Sequence, residues 1–129
     1  MRMRESAEDY LEAVLMFSQT QEYVRAADLC RHLGFSRPTV SQAVKELTAD
    51  GYLSVDGSNH ITLTEKGLVI AERTLERHNV ISRIFLSLGV SEATAYEDAC
   101  RVEHYISQET FDCMKRYYNR LAKEDLPAS

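Results

Sequence analysis

The sequence predicts a mainly α protein that opens with a winged helix-turn-helix bearing a small β-hairpin wing and continues as an all-helical domain. Three observations carry that reading. Two short amphipathic stretches flank Gly34-Phe35-Ser36, two alternating segments flank Asp56-Gly57-Ser58-Asn59, and three helical stretches with apolar faces follow Thr64. The domains are expected to cover residues 1–66 and 67–129.

Residues 6–19 set Tyr10, Leu11, Val14, Leu15 and Phe17 at helical spacing, which gives a first helix an apolar face with Asp9 and Glu12 on its polar side. Ala26, Leu29, Cys30 and Leu33 repeat in the same way, and Gly34 supplies the left-handed residue that ends a short second helix. Ser36 is placed to cap a third helix, Pro38 suits its first turn, and Val40, Ala43, Val44 and Leu47 form an inward stripe before Gly51. So short a connection holds the two helices at a steep angle, the helix-turn-helix layout.

Tyr52-Leu53-Ser54-Val55 and His60-Ile61-Thr62-Leu63 alternate apolar with polar or small residues about turn-forming chemistry, which predicts a hairpin. Thr64 then caps a helix over 65–87 whose apolar residues are Leu68, Ala71, Leu75, Val80, Ile81, Ile84 and Phe85. Ser91 caps a fifth helix reaching Ile106, and Ser107 caps a sixth that carries Phe111, Met114, Tyr118 and Leu121. These helices offer more apolar surface than a domain of about 60 residues buries alone, so a second copy of the chain is expected to cover it. The second half is thus read as an all-helical dimerisation domain.

The chain has 129 residues, 44% of them hydrophobic and 27% charged, which suits one compact unit or two small ones sharing a core. No apolar run approaches the roughly 18 to 20 residues of a membrane span, and the N-terminus has no apolar signal stretch, so a cytoplasmic protein is expected. The three scattered cysteines, Cys30, Cys100 and Cys113, argue against a disulfide framework, and Cys30 and Cys113 read as apolar-face residues. A net charge of −5 does not favour nucleic acid, but carboxylates gathered at one internal site would leave a basic face elsewhere.

On the third helix, Arg37, Thr39, Ser41, Gln42 and Lys45 face away from the apolar stripe. Gln42 can bond bidentately to adenine, Ser41 and Thr39 can serve bases or phosphates, Pro38 can touch a thymine methyl, and Arg37 and Lys45 can hold phosphates. Ser36 stands at the helix N-terminus, whose free N–H groups favour an anion. Any amphipathic helix has a polar face. This one is the second of a tight pair followed directly by a hairpin, and double-stranded DNA is the expected partner.

Cys100, Glu103 and His104 stand at i, i+3 and i+4 of the expected fifth helix, so they emerge on one face. Thiolate, carboxylate and imidazole together suit first-row divalent metals rather than calcium or magnesium. Asp9 and Glu12 form a second pair at i, i+3, and His78 is a further candidate. Each has an ordinary alternative: a buried cysteine as a small hydrophobe, a hydrogen-bonded histidine, or a carboxylate complementing a helix dipole. His32 and His60 are explained by solvent exposure.

The order of Glu8-Asp9-Tyr10-Leu11-Glu12, Pro38-Thr39-Val40-Ser41-Gln42, Arg77-His78 and Asp98-Ala99-Cys100-Arg101-Val102-Glu103-His104 resembles the iron- and manganese-dependent repressors typified by the diphtheria toxin repressor and the manganese transport regulator. The resemblance implies Asp9, Glu12, His78, Cys100, Glu103 and His104 as metal ligands. It also implies a homodimer that binds a palindromic operator when loaded with Mn2+ or Fe2+ and controls metal-homeostasis genes; the Irving–Williams order adds the expectation that Zn2+ binds in vitro. The manganese branch carries a carboxylate in place of Cys100. The iron branch carries methionine in place of Asp9, and further ligands where this chain has Ser82 and Tyr96. The chain is a hybrid of the two.

Other classes predict other features. A thiol-based redox sensor would need a resolving cysteine near Cys100, and none is spaced for it. A zinc enzyme would need an open coordination position and a substrate pocket, and no His-Glu-x-x-His element is present. The expectation is therefore a regulator with no catalytic residues and no organic small-molecule substrate. The chief alternative is a winged-helix regulator with a structural zinc site.

Overall fold

The computed structural model describes residues 5–125. In order, the elements are α1 (Glu5–Thr20), α2 (Ala26–Leu33), α3 (Arg37–Ala49), β1 (Leu53–Val55), β2 (Ile61–Leu63), α4 (Glu65–Ser87), α5 (Glu92–Val102) and α6 (Gln108–Asp125). This is the mainly α, winged helix-turn-helix architecture with a helical second part that the sequence predicts. The chain divides into two compact units, the first ending at Thr74 and the second beginning at Leu75. No described helix is long and apolar enough to cross a membrane.

In the first unit, α1 packs on α2 and β2, α2 on α3, and α3 on β1. Leu11, Val14, Leu29, Val40, Leu53 and Ile61 are buried at its centre, each contributing about 1.5–3 kcal/mol relative to exposure. With eight residues, α2 is too short to persist alone, so its ends and its buried Leu29 hold it. Asp28 accepts from the backbone N–H of Arg25 at 2.9 Å. At the other end, Gly34 takes φ 75° and donates its N–H to the Cys30 carbonyl, a conformation that a Cβ would oppose. Ser36 Oγ then accepts from Thr39 N–H at 3.3 Å to start α3.

The wing pairs β1 with β2 antiparallel, with Leu53 opposite Leu63 and Val55 opposite Ile61. Asp56 organises its tip by accepting from the backbone N–H groups of Ser58 (2.8 Å) and His60 (2.9 Å). Ile61 N–H donates to the Val24 carbonyl at 2.8 Å, which ties the wing to the segment before α2. The first turn of α4 presses on the start of the wing, where the Gly67 backbone leaves no room for a side chain beside the Tyr52 carbonyl.

In the second unit, Val80 and Ile84 of α4 and Phe111 of α6 form a buried cluster, against which Ile106, Met114 and Tyr118 pack. Ser107 caps α6 by accepting from Thr110 N–H at 3.0 Å. Two expectations are corrected here. The fifth helix ends at Val102 rather than Ile106: residues 103–106 form a turn, and the carbonyl groups of Glu103 and Ile106 accept from Arg77. Cys113 is exposed on α6 rather than part of an apolar face, and its Sγ lies 3.2 Å from Arg116 Nη2.

Candidate metal centre and nucleic-acid interface

The second unit brings together His78 from α4, Cys100 from the last turn of α5, and Glu103 and His104 from the turn after it. His78 Nδ1 lies 3.2 Å from Glu103 Oε2 and 3.7 Å from Cys100 Sγ. One donor atom from each of these three residues falls within a 4.8 Å group. His104 Nε2 is 3.4 Å from the other carboxylate oxygen, Oε1. Glu103 is 2% exposed and His104 4%, so the carboxylate is shielded from solvent with an imidazole beside each oxygen. Glu103 keeps right-handed helical angles beyond the last residue of α5, and His104 lies beside it in the turn that follows.

Burial by itself would lower the pKa of His78. Its hydrogen bonds to Cys100 and Glu103, with the charges on both, outweigh that effect and push it from the ordinary 6.5 up to about 10. That favours the protonated form of His78 in the metal-free protein, held between Cys100 and the Glu103 carboxylate. The edge of the Tyr96 ring meets the His78 ring at 4.5 Å and 72°. Nitrogen, sulfur and oxygen donors that lie within 4.8 Å of one another fit a first-row divalent metal and do not fit calcium or magnesium.

Asp9 and Glu12 stand one turn apart on α1 and belong to the first unit, Asp9 half-buried and Glu12 buried. Ser82, at one of the two positions where the iron branch has further ligands, donates to the Asn79 carbonyl at 3.3 Å. The feature that sequence reasoning missed is Arg77. Its side chain holds the turn bearing Glu103 and His104, a contact across 26 residues that no local pattern signals.

The expected DNA-reading residues Ser36, Arg37, Pro38, Thr39, Ser41, Gln42 and Lys45 are all exposed. They occupy two shoulders of α3. Arg37, Ser41 and Lys45 line a groove of about 610 Å³ shared with Arg25, Thr48 and the wing's Asn59, none of which the sequence had marked. Pro38, Thr39 and Gln42 face the opposite side with Phe35 and Glu46. Ser36 is engaged as the helix cap, and Gln42 Nε2 donates to Glu46 Oε1 at 3.1 Å, which orients its amide.

His60 is not simply solvent-exposed, as the sequence suggested. It stacks on Tyr23 at 4.0 Å and 15°, its Nε2 is 3.1 Å from Arg25 Nη2, and its Nδ1 is 3.2 Å from Asp56. The Asp56 pKa is lowered, first by the backbone N–H of His60 and further by that of Ser58 and by the His60 ring.

A winged helix joined to a helical unit that brings a half-buried thiol to a buried imidazole and carboxylate defines a class of DNA-binding regulators that respond to metal. Residues 2–61 match the iron-dependent repressor N-terminal DNA-binding domain, and residues 64–125 match the iron-dependent repressor metal-binding and dimerisation domain. An uncharacterised HTH-type transcriptional regulator of Methanocaldococcus jannaschii is 35% identical over 121 residues, covering 92% of this chain and 96% of its own length. The transcriptional regulator MntR of Escherichia coli O6:H1 is 32% identical over 114 residues, covering 88% of this chain and 74% of its own. A manganese-dependent transcriptional repressor solved in complex with manganese shares the fold, with a TM-score of 0.80 at 23% identity over 88% of this chain. This chain spans about half of that structure, 52% of its length. The chain belongs to the iron-dependent repressor family of metal-dependent transcriptional regulators, which are DNA-binding proteins and not enzymes.

Proposed function

We propose that the protein is a cytoplasmic homodimeric repressor that binds a palindromic operator when loaded with Mn2+ or Fe2+ and so controls genes of metal homeostasis. The observation that carries this reading is the approach of half-buried Cys100 to buried His78 and Glu103 within a chain whose other half is a winged helix. Asp9 and Glu12, on α1, complete the ligand set with His104. Without metal, Asp9, Glu12 and Glu103 are carboxylates that repel one another wherever they are drawn together. A bound divalent cation supplies the positive charge that lets them share one site.

In the loaded dimer, α3 of each subunit enters the major groove. Ser41, Thr39, Pro38 and Gln42 meet base edges, Arg37 and Lys45 hold phosphates, and the Ser36 N-terminus accepts a phosphate. The two recognition helices then match half-sites roughly 34 Å apart or a multiple of it. A duplex selected from a random pool by the metal-loaded protein, titrated anaerobically with Mn2+, Fe2+ and Zn2+ at fixed salt, tests the reading. Tighter binding with Mn2+ or Fe2+ than with chelator is expected. A slowly exchanging zinc with metal-insensitive DNA binding would establish a structural site instead.

A further inference from the structure

Arg77 precedes His78 on α4, yet its guanidinium serves the turn after α5. Nη1 donates to the carbonyl oxygens of Glu103 (3.2 Å) and Ile106 (3.0 Å), and Nη2 donates to Gln108 Oε1 (2.9 Å). The guanidinium carbon lies 5.3 Å from the centre of the buried Phe111 ring, which fixes the plane of the fork. The two carbonyls bracket the turn at residues 103–106, just where a helix end leaves acceptors without intrahelical partners. A cation is also favoured at that pole of the helix dipole.

Helix α2 ends on a left-handed glycine, whereas α5 runs into Glu103, which keeps right-handed helical angles. Nothing in the local sequence stops α5 at Val102. The stop comes from a distant side chain whose charge-assisted bonds are roughly twice as strong as neutral ones.

We propose that Arg77 is a positioning residue for the metal centre: its fork fixes the turn that presents Glu103 and His104, while the adjacent His78 supplies a donor from the same stretch of α4. The inference rests on the metal-centre reading above. Lysine at this position keeps the charge but replaces a planar fork with a point donor, so it cannot bridge both carbonyls and Gln108 in one geometry.

The test compares full-length wild type with Arg77→Lys. In the metal-free proteins, hydrogen exchange of the amides of residues 103–107 is expected to quicken in the variant. Its affinity for Mn2+ and Zn2+, measured by competition with a chromophoric chelator, is expected to fall by about 10- to 100-fold. The thiolate-to-metal band of the Co2+ adduct should persist, because Cys100 lies outside the clasped turn, whereas a general collapse of the unit would remove it. Gln108→Ala, which removes one acceptor and no charge, should show the same pattern with a smaller loss if Arg77→Lys does not fold.

Unchanged exchange or wild-type affinity in Arg77→Lys would overturn the proposal. A wild-type protein with no thiolate band, and with metal affinity indifferent to Glu103→Gln, would overturn the metal-centre reading itself and this inference with it.

Discussion

His78 Nδ1 lies 3.2 Å from Glu103 Oε2, and both side chains are buried. Both residues belong to the proposed ligand set, so proton and metal are expected to compete for them. Because the His78 pKa is raised from 6.5 to about 10 in the folded protein, its contribution to stability is complete below about pH 6.5 and is lost as pH rises through about 10. In chelator, the gap in thermal stability between wild type and His78→Gln is therefore expected to be widest at acidic pH and to close toward pH 10. Metal affinity should move the other way and rise across this window, since coordination needs the neutral ring. A stability gap that is flat with pH would contradict the charge state assigned to His78.

Cys100 contributes the only sulfur within hydrogen-bonding reach of His78 among the described residues. Thiolate favours softer metals, so Cys100→Asp should weaken Zn2+ and Cd2+ binding far more than Mn2+ binding. Competition titrations on the two proteins read this directly. Equal losses for all three ions would show that the thiol does not set selectivity.

The two shoulders of α3 should behave differently. Gln42→Ala is expected to cost about 1–3 kcal/mol on the preferred operator and little on other sequences, because base contacts specify. Lys45→Ala should weaken all duplexes alike and reduce the salt slope by about 1, because phosphate contacts position. Binding curves on specific and scrambled duplexes at several salt concentrations separate the two. A uniform loss for Gln42→Ala would make it a positioning residue.

Among the glycines, Gly67 alone would bring an added Cβ against neighbouring atoms. A methyl group there would collide with the Tyr52 carbonyl, which is backbone and cannot rotate away. Gly67→Ala is expected to destabilise the protein by about 1–3 kcal/mol, despite the better helix propensity of alanine. Denaturant unfolding measures it, and an unchanged midpoint would show that α4 shifts at no cost.

The winged helix was legible because its signals are local. The 3.6-residue spacing of Val40, Val44 and Leu47, the glycine at 34 and the Asp-Gly-Ser-Asn turn each act over a few residues, and their positions survive in the structure. The end of α5 was not legible, because the turn after it is bonded to Arg77 of another helix, a contact no local pattern signals. His60 misled for a related reason. Its environment is made by Tyr23, Arg25 and Asp56, two of which lie on the far side of α2 and α3 in sequence. The donor types at Cys100, Glu103 and His104 could be read from spacing, whereas the approach of His78 to them depends on how α4 packs against α5.

In the proposed function, metal and operator are coupled ligands, and coupling must be reciprocal. The most direct measurement is the affinity of the full-length protein for Mn2+ or Fe2+ with and without saturating operator duplex at one salt concentration. The account predicts that the duplex tightens metal binding by the same factor by which the metal tightens duplex binding. Metal affinity that is identical with and without the duplex would contradict it.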